Sequence, residues 1–197
     1  MNFEKAQDKL KGPIVPASSD AMIYEIRGGE VWVLTGIRGN DPWKGYLSLA
    51  MGGYMDPEDV NPLATAKRET REETGAVRQE IYGLSVEIEF LVGIYGPHRW
   101  HYKLALHTAD DHELIRTEEQ AHILPVLALV FGARVTGGAI RDTDEQKGVR
   151  FMPLSAIVEE YGNRIVFDHA LALHHLVGIL REKDAMESAR AALKLFY

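Results

Sequence analysis

The chain contains no cysteine. That absence excludes disulfides and thiolate zinc sites, and it suits a reducing cytoplasm. There is also no apolar run of transmembrane length and no charged-then-apolar leader after Met1, so the expectation is a soluble, unexported, cytoplasmic protein without membrane contact. Positive charge is scarce too: 22 Lys and Arg stand against 29 Asp and Glu, a formal net charge of −7. Such a balance argues against a protein that wraps duplex nucleic acid by neutralising phosphates. A phosphorylated ligand would therefore need a metal ion and a few local bases.

What is present suffices for one sizeable core and is short for two: 197 residues, 46% hydrophobic and 26% charged. A single domain over residues 1–197 is expected. Met1 to Gly12 has few apolar residues and reads as a short arm or helix. Ala21 to Ile26 and Val31 to Ile37 are strand-like runs flanking Arg27-Gly28-Gly29-Glu30, which predicts a hairpin with a primed turn. A turn-rich loop, residues 38–46, then leads to the apolar Leu47 to Met51. Its Arg38 and Lys44 are either phosphate-binding cations or ordinary surface charges. Val86 to Tyr95, Val126 to Val135 and Val149 to Met152 read as strands. A helix is expected near Ser155 to Tyr161, and a last one capped by Asp168 with Ala170 to Leu180 as its apolar body.

Five of the eight histidines, His98, His101, His107, His112 and His122, fall in one polar stretch that also holds Trp100, Tyr102, Asp110, Asp111 and Glu113. His98 and His101 have metal-ligand spacing but no third fixed ligand. The stretch reads as a surface insertion or subunit contact, with aromatic residues able to meet the non-phosphate end of a substrate.

The chain is organised around Gly52 to Ala76, GGYMDPEDVNPLATAKRETREETGA. Asn61 can cap a helix beginning at Pro62, and Gly75 can stop it, which predicts a helix over Pro62 to Thr74. Glu69, Glu72 and Glu73 then share one face at i, i+3 and i+4. Leu63, Ala66 and Thr70, with Lys67 at the margin, form a second face that packs. The acidic face has two readings: a solvated surface held by Arg68 and Glu72, or a site for a hard cation such as Mg²⁺.

Gly53, Asp59 and the block Arg68-Glu69-Thr70-Arg71-Glu72-Glu73-Thr74-Gly75-Ala76 resemble the Nudix box, G-x5-E-x7-R-E-U-x-E-E-x-G-U with U aliphatic. Three departures stand out: Asp59 occupies the first acidic position with one extra residue before Arg68, Thr70 replaces an aliphatic residue, and Ala76 is small. Phe167-Asp168-His169 is similar to the ADP-ribose pyrophosphatase branch. The resemblance covers about Ala21 to Leu180, with residues 97–124 as an insertion.

It implies an α/β fold, the Nudix-type α/β/α sandwich with a mixed β-sheet. It implies hydrolysis of a nucleoside diphosphate linked to another group, with ADP-ribose or a nucleotide sugar as the leading substrate. Mg²⁺ or Mn²⁺ would be held by Glu69, Glu72 and Glu73 with a backbone carbonyl at Gly53, and Arg68 would orient the carboxylates. Relatives also imply a homodimer, and a base from the loop before the final short strand: Glu145, next to Asp144, on a mobile loop closing over substrate. Glu72 or Glu73 acting as base, or loop acids that only solvate a turn, are the competing readings. A module that senses a nucleotide sugar without cleaving it is the alternative function, and a protein-interaction domain with an incidental box is a third.

Overall fold

The computed structural model describes residues 17–40, 43–56, 58–75, 83–95, 127–162, 164–166 and 168–193, with side chains through 184. The expected N-terminal arm and the histidine-rich insertion lie outside the described residues.

Strand β1 (Ala17–Arg27) is the hub, because its two halves pair with different neighbours. Its first half runs parallel to β6 (Leu127–Gly137), from Ala17↔Leu127 to Ile23↔Ala133, and antiparallel to β4 (Met51–Tyr54) on the other side. Antiparallel β5 (Ser85–Tyr95) lies beyond β6. The second half pairs with β2 (Glu30–Arg38), which is flanked by β3 (Leu47–Ser48) and β7 (Gln146–Pro153). The β1–β2 hairpin has the two-residue loop expected: Gly28 and Gly29 both take positive φ, 59° and 82°, as a type I′ turn demands.

Successive β1 side chains point to opposite faces of the sheet, and each face has its own core. Met22 and Tyr24 join Val33, Leu47 and the buried faces of helices α2 (Leu154–Tyr161) and α3 (His169–Leu193). Ala21 and Ile23 join Leu34, Met51, Leu84 and Ala66 of helix α1 (Pro62–Glu73). The result is a mixed sheet between helices, the α/β/α sandwich, with seven strands and three helices among the described residues. None of the described helices is long and apolar enough to cross a membrane.

Helix α1 begins as predicted: Asn61 is extended, and its Oδ1 accepts from the Ala64 amide at 3.0 Å. Its packed face differs from the expected one. Leu63 is exposed, while Thr65, Ala66, Thr70 and Glu73 are buried. Small side chains are needed there because the helix lies tight on β1, close enough for Ser19 Oγ to donate to the Pro62 carbonyl. Thr70 tolerates an aliphatic position by donating to the Ala66 carbonyl at 2.7 Å, which satisfies its buried hydroxyl inside the helix. Helix α2 has no side-chain cap of its own at Pro153; Glu30 at the head of β2 accepts from Ser155 Oγ at 2.6 Å instead.

Candidate active site

Register places two rows of residues side by side across β4, β1, β6 and β5. One runs Tyr54, Ser18, Ala128, Tyr95; the next runs Gly52, Asp20, Val130, Gly93. Most of these residues line a cavity of about 370 Å³ that also takes in Arg38, Ser48, Ala50, Gly53, Asp56, Glu69, Glu73, Glu145, Gln146, Asp168 and His169. The floor carries the small Ser18 and Ala128 between Tyr54 and Tyr95, and Gly52 beside Asp20. The absence of side chains at 52 and 53 is required on both faces of β4. A Cβ on Gly52 would stand 2.1 Å from Asp20 Oδ1, and one on Gly53 would stand 2.6 Å from Glu69 Oε1.

The three box glutamates separate. Glu69 and Glu73 line the cavity, whereas Glu72 is half-exposed and turned to Arg68, Oε2 to Nη1 3.1 Å. Among the described residues no three acidic, histidine or cysteine side chains gather as a closed metal site. Arg68 is a hub of hydrogen bonds. Nη2 and Nε reach Asp59 at 2.8 and 3.2 Å, Nη1 reaches Glu69 at 2.8 Å, and Nη2 also meets the Tyr54 carbonyl at 3.3 Å. Asp59 in turn accepts from Thr65 Oγ1 at 2.9 Å. The Arg68 fork holds the Asp59 carboxyl far below the usual range, so Asp59 acts as the anchor of Arg68.

Glu73 is almost fully buried. Its Oε2 accepts from the Gly52 amide at 2.9 Å and its Oε1 from Gln146 Nε2 at 3.3 Å. Burial pushes its carboxyl up to about 8, against the Gln146 and Gly52 hydrogen bonds and with added repulsion from Glu145 and Glu69. Burial likewise raises Glu69, opposed by Arg68 and reinforced by Glu72 and Glu145. Asp20 is pushed up to about 7 by burial; Ser18, donating at 3.2 Å, and Arg38 oppose this, and Glu69 adds to it. Several carboxylates thus share one cavity at an electrostatic cost that a hard cation would relieve. Mg²⁺ is commonly held through one or two carboxylates, waters and substrate phosphates rather than a closed protein cage. The residues present fit such an ion, which Glu69, Glu73 and the backbone at Gly53 would hold.

Glu145 reaches the cavity from a loop that several hydrogen bonds hold together. The Asp142 carboxylate accepts from the Gly148 and Val149 amides at 2.8 and 3.1 Å, and this holds its carboxyl below the usual value. Thr143 N donates to the Gln146 carbonyl at 2.8 Å, and Gly39 N donates to the Glu145 carbonyl at 2.7 Å. Asp144 is fully exposed beside Lys147 and does not line the cavity. At the other wall, His169 Nδ1 accepts from the Leu49 amide at 3.1 Å, which places its proton on Nε2 and ties α3 to the segment before Gly52. Asp168 begins α3, its carbonyl accepting from the Ala172 amide at 2.8 Å.

Of the residues singled out by sequence, Glu69, Glu73, Gly53, Arg38 and Glu145 meet in the cavity, with Arg68 behind them. Glu72 does not face it. Lys44 is exposed on the 43–46 turn and is not among the lining residues. Sequence reasoning missed Asp20, Ser18 and Gln146. The available signal for the first two was a pair of polar residues, two apart, which strand alternation puts on one face at the head of β1.

A NUDIX domain model matches residues 17–170. No curated protein matches the chain. Solved structures similar in fold include the NUDIX domain of Shewanella oneidensis NrtR complexed with ADP ribose, at 16% identity over 91% of this chain and 99% of that one, TM-score 0.58. A NUDIX hydrolase from Nitrosomonas europaea aligns at 14% identity over 84% and 90%, TM-score 0.57. A bifunctional NMN adenylyltransferase/ADP ribose pyrophosphatase from Francisella tularensis aligns at 17% over 91% of this chain and 45% of that one, TM-score 0.50. At these identities the likeness is one of fold; the domain match, over most of the chain, shows that this protein belongs to the NUDIX family.

Proposed function

We propose that the chain hydrolyses the pyrophosphate bond of a nucleoside diphosphate linked to another group, with Mg²⁺ or Mn²⁺, and that ADP-ribose or a nucleotide sugar is its substrate. The observation that carries this reading is the meeting of Glu69 and Glu73 with Arg38 and Glu145 in one cavity beside the Gly52–Gly53 strand. A divalent cation there supplies charge neutralisation and Lewis acidity to the diphosphate. Arg38, at the cavity wall, offers a guanidinium to phosphate oxygens. Glu145 takes the proton of the attacking water as the water oxygen joins one phosphorus, the bond from that phosphorus to the bridging oxygen breaks, and the bridging oxygen leaves with the other phosphate. The hydrogen-bonded loop presents that carboxylate to the cavity, and Gln146 and Gly52 hold Glu73 in place. In this reading the protein is a cytoplasmic homodimer that takes nucleotide-type small molecules.

A second reading has an observation of its own. Glu72 is turned away from the cavity into an ion pair with Arg68, and a similar fold is that of an NrtR domain complexed with ADP ribose. A sensing module that binds without cleaving needs only the cavity. A phosphatase-coupled phosphate-release screen with Mg²⁺ or Mn²⁺ over ADP-ribose, nucleotide sugars, dinucleoside polyphosphates and nucleoside triphosphates separates the two. Turnover lost in Glu73→Gln supports the hydrolase; tight calorimetric binding of ADP-ribose without turnover supports the sensor.

A further inference from the structure

We propose that the sheet floor beside the glutamates is a sugar-hydroxyl subsite, in which the Asp20 carboxylate accepts hydrogen bonds from hydroxyls of the substrate and sets which sugar is taken. The inference rests on the pyrophosphohydrolase reading of the same cavity. Asp20 lies mid-row, with Gly52 in register on one side and Val130 then Gly93 on the other; Ser18 and Ala128 occupy the adjacent row. Gly52 beside it carries no side chain, and Asp20 lines the cavity with Ser18 and Ala128. Tyr54 and Tyr95 close the Ser18 row at its two ends, three strand spacings or ~14 Å apart.

The chemistry of the floor selects donors. A carboxyl group offers several acceptor sites, and Ser18 Oγ, donating at 3.2 Å, uses one of those on Asp20. Phosphate is repelled by it and belongs with Arg38 and the cation. In a nucleoside diphosphate derivative the first donors met on leaving the diphosphate are the hydroxyls of the attached sugar. At about 370 Å³ the cavity is at the small end of ligand cavities, which suits one end of such a molecule rather than the whole. Its position between Gly52 and Val130 puts Asp20 next to the diphosphate end, where a pentose would sit.

The two sugars of ADP-ribose share this chemistry, and the experiment distinguishes them. kcat/KM with Mg²⁺ is measured for ADP-ribose, for its analogue lacking the 2′-hydroxyl of the adenosine ribose, and for its analogue lacking the 2″-hydroxyl of the other ribose. Wild type, Asp20→Ala and Asp20→Asn are compared. A site built to bond a hydroxyl rejects the analogue without it strongly, so wild type is expected to disfavour one of the two by ~10²-fold or more. That analogue names the sugar. In Asp20→Ala the ratio collapses towards one, and in Asp20→Asn, whose amide oxygen still accepts, part of it survives. Ratios are the readout, so rate changes shared by all substrates do not enter. An unchanged ratio in Asp20→Ala, or a wild type indifferent to both hydroxyls, overturns the proposal. So does discrimination of inosine from adenosine derivatives that is lost in Asp20→Ala, since that assigns the floor to the base. If Asp20→Ala fails to fold, Asp20→Asn decides. If wild type hydrolyses none of the three, the hydrolase reading fails instead, and calorimetric affinities of the same ligands test the subsite by the same ratios.

Discussion

Replacing Glu73 with Gln is expected to stabilise the metal-free protein at alkaline pH while it abolishes turnover. The carboxyl is buried, and its pKa is pushed from 4.5 to about 8, chiefly by burial. A raised carboxyl contributes stability that is fully present below its unfolded pKa and is lost as pH climbs through the folded one. The window is therefore from about pH 4.5 to about pH 8. At ~1.4 kcal/mol per pKa unit, forcing the buried carboxylate to ionise costs about 5 kcal/mol at the top of that window. Glutamine keeps the shape and drops the charge. Its carbonyl can still accept from Gly52 N, and Gln146, whose Oε1 is buried without a partner, can turn its amide to accept from the new NH₂.

The assay is urea unfolding in EDTA, wild type against Glu73→Gln, at pH 5 and pH 9. Near pH 5 the two should differ by less than ~1 kcal/mol; at pH 9 the variant should lead by several kcal/mol. Saturating Mn²⁺ should stabilise wild type and leave the variant nearly where it was, because a cation bound by the folded state shifts the equilibrium by mass action. Equal destabilisation of the variant at both pH values would refute the reasoning. It would mean that the carboxylate's hydrogen bonds, not its burial, dominate its energetics.

Gly53→Ala should cut turnover by ~10²-fold or more with the fold retained, because the added methyl lands 2.6 Å from the Glu69 carboxylate; kcat alongside a circular dichroism spectrum checks it. Arg68→Lys should lose part of the activity, since an ammonium cannot span Asp59, Glu69 and the Tyr54 carbonyl together, and steady-state kinetics with Mg²⁺ titration would show it. Glu145→Gln should lower kcat by ~10²-fold with Mn²⁺ affinity nearly unchanged, and wild-type turnover would return the base to the helix. Light scattering at micromolar concentration is expected to give a dimer, and a monomer would count against the assembly.

The helix and its ends were legible because capping and periodicity are local: Asn61, Pro62 and Gly75 say where it starts and stops without reference to the rest of the chain. The hairpin was legible for the same reason, since Gly28-Gly29 leaves few turns possible. What the helix buries was not. Leu63 looked like a packing residue and is exposed, because the tight seat on β1 admits Thr65 and Thr70 where a leucine would not fit. Asp20 joins the site only through pairing of β1 with β4 and β6, and strand order is a property of the whole fold. The hydrogen bonds of the 141–148 loop were hidden likewise: Asp142 folds back on Gly148 and Val149 across a turn that composition alone does not specify.

The Gly52–Gly53 strand explains why helix, floor and loop converge at one point. Helix α1 packs with the core on one face of the sheet, while α3 and its core cover the other, so carboxylates from the helix can enter a cavity walled by α3 residues only past a strand with nothing to block them. Glu69 stands against Gly53, and Asp20 stands against Gly52 on the other side. Two glycines in series serve opposite faces because side chains alternate along a strand. One glycine would therefore admit the helix acids or the floor acid, but not both. It follows that Gly52→Ala and Gly53→Ala should fail differently: the first disturbs Asp20 and with it the choice of sugar, the second disturbs Glu69 and with it the cation. Loss of Mn²⁺ affinity in both variants alike would show that the two faces are not separable.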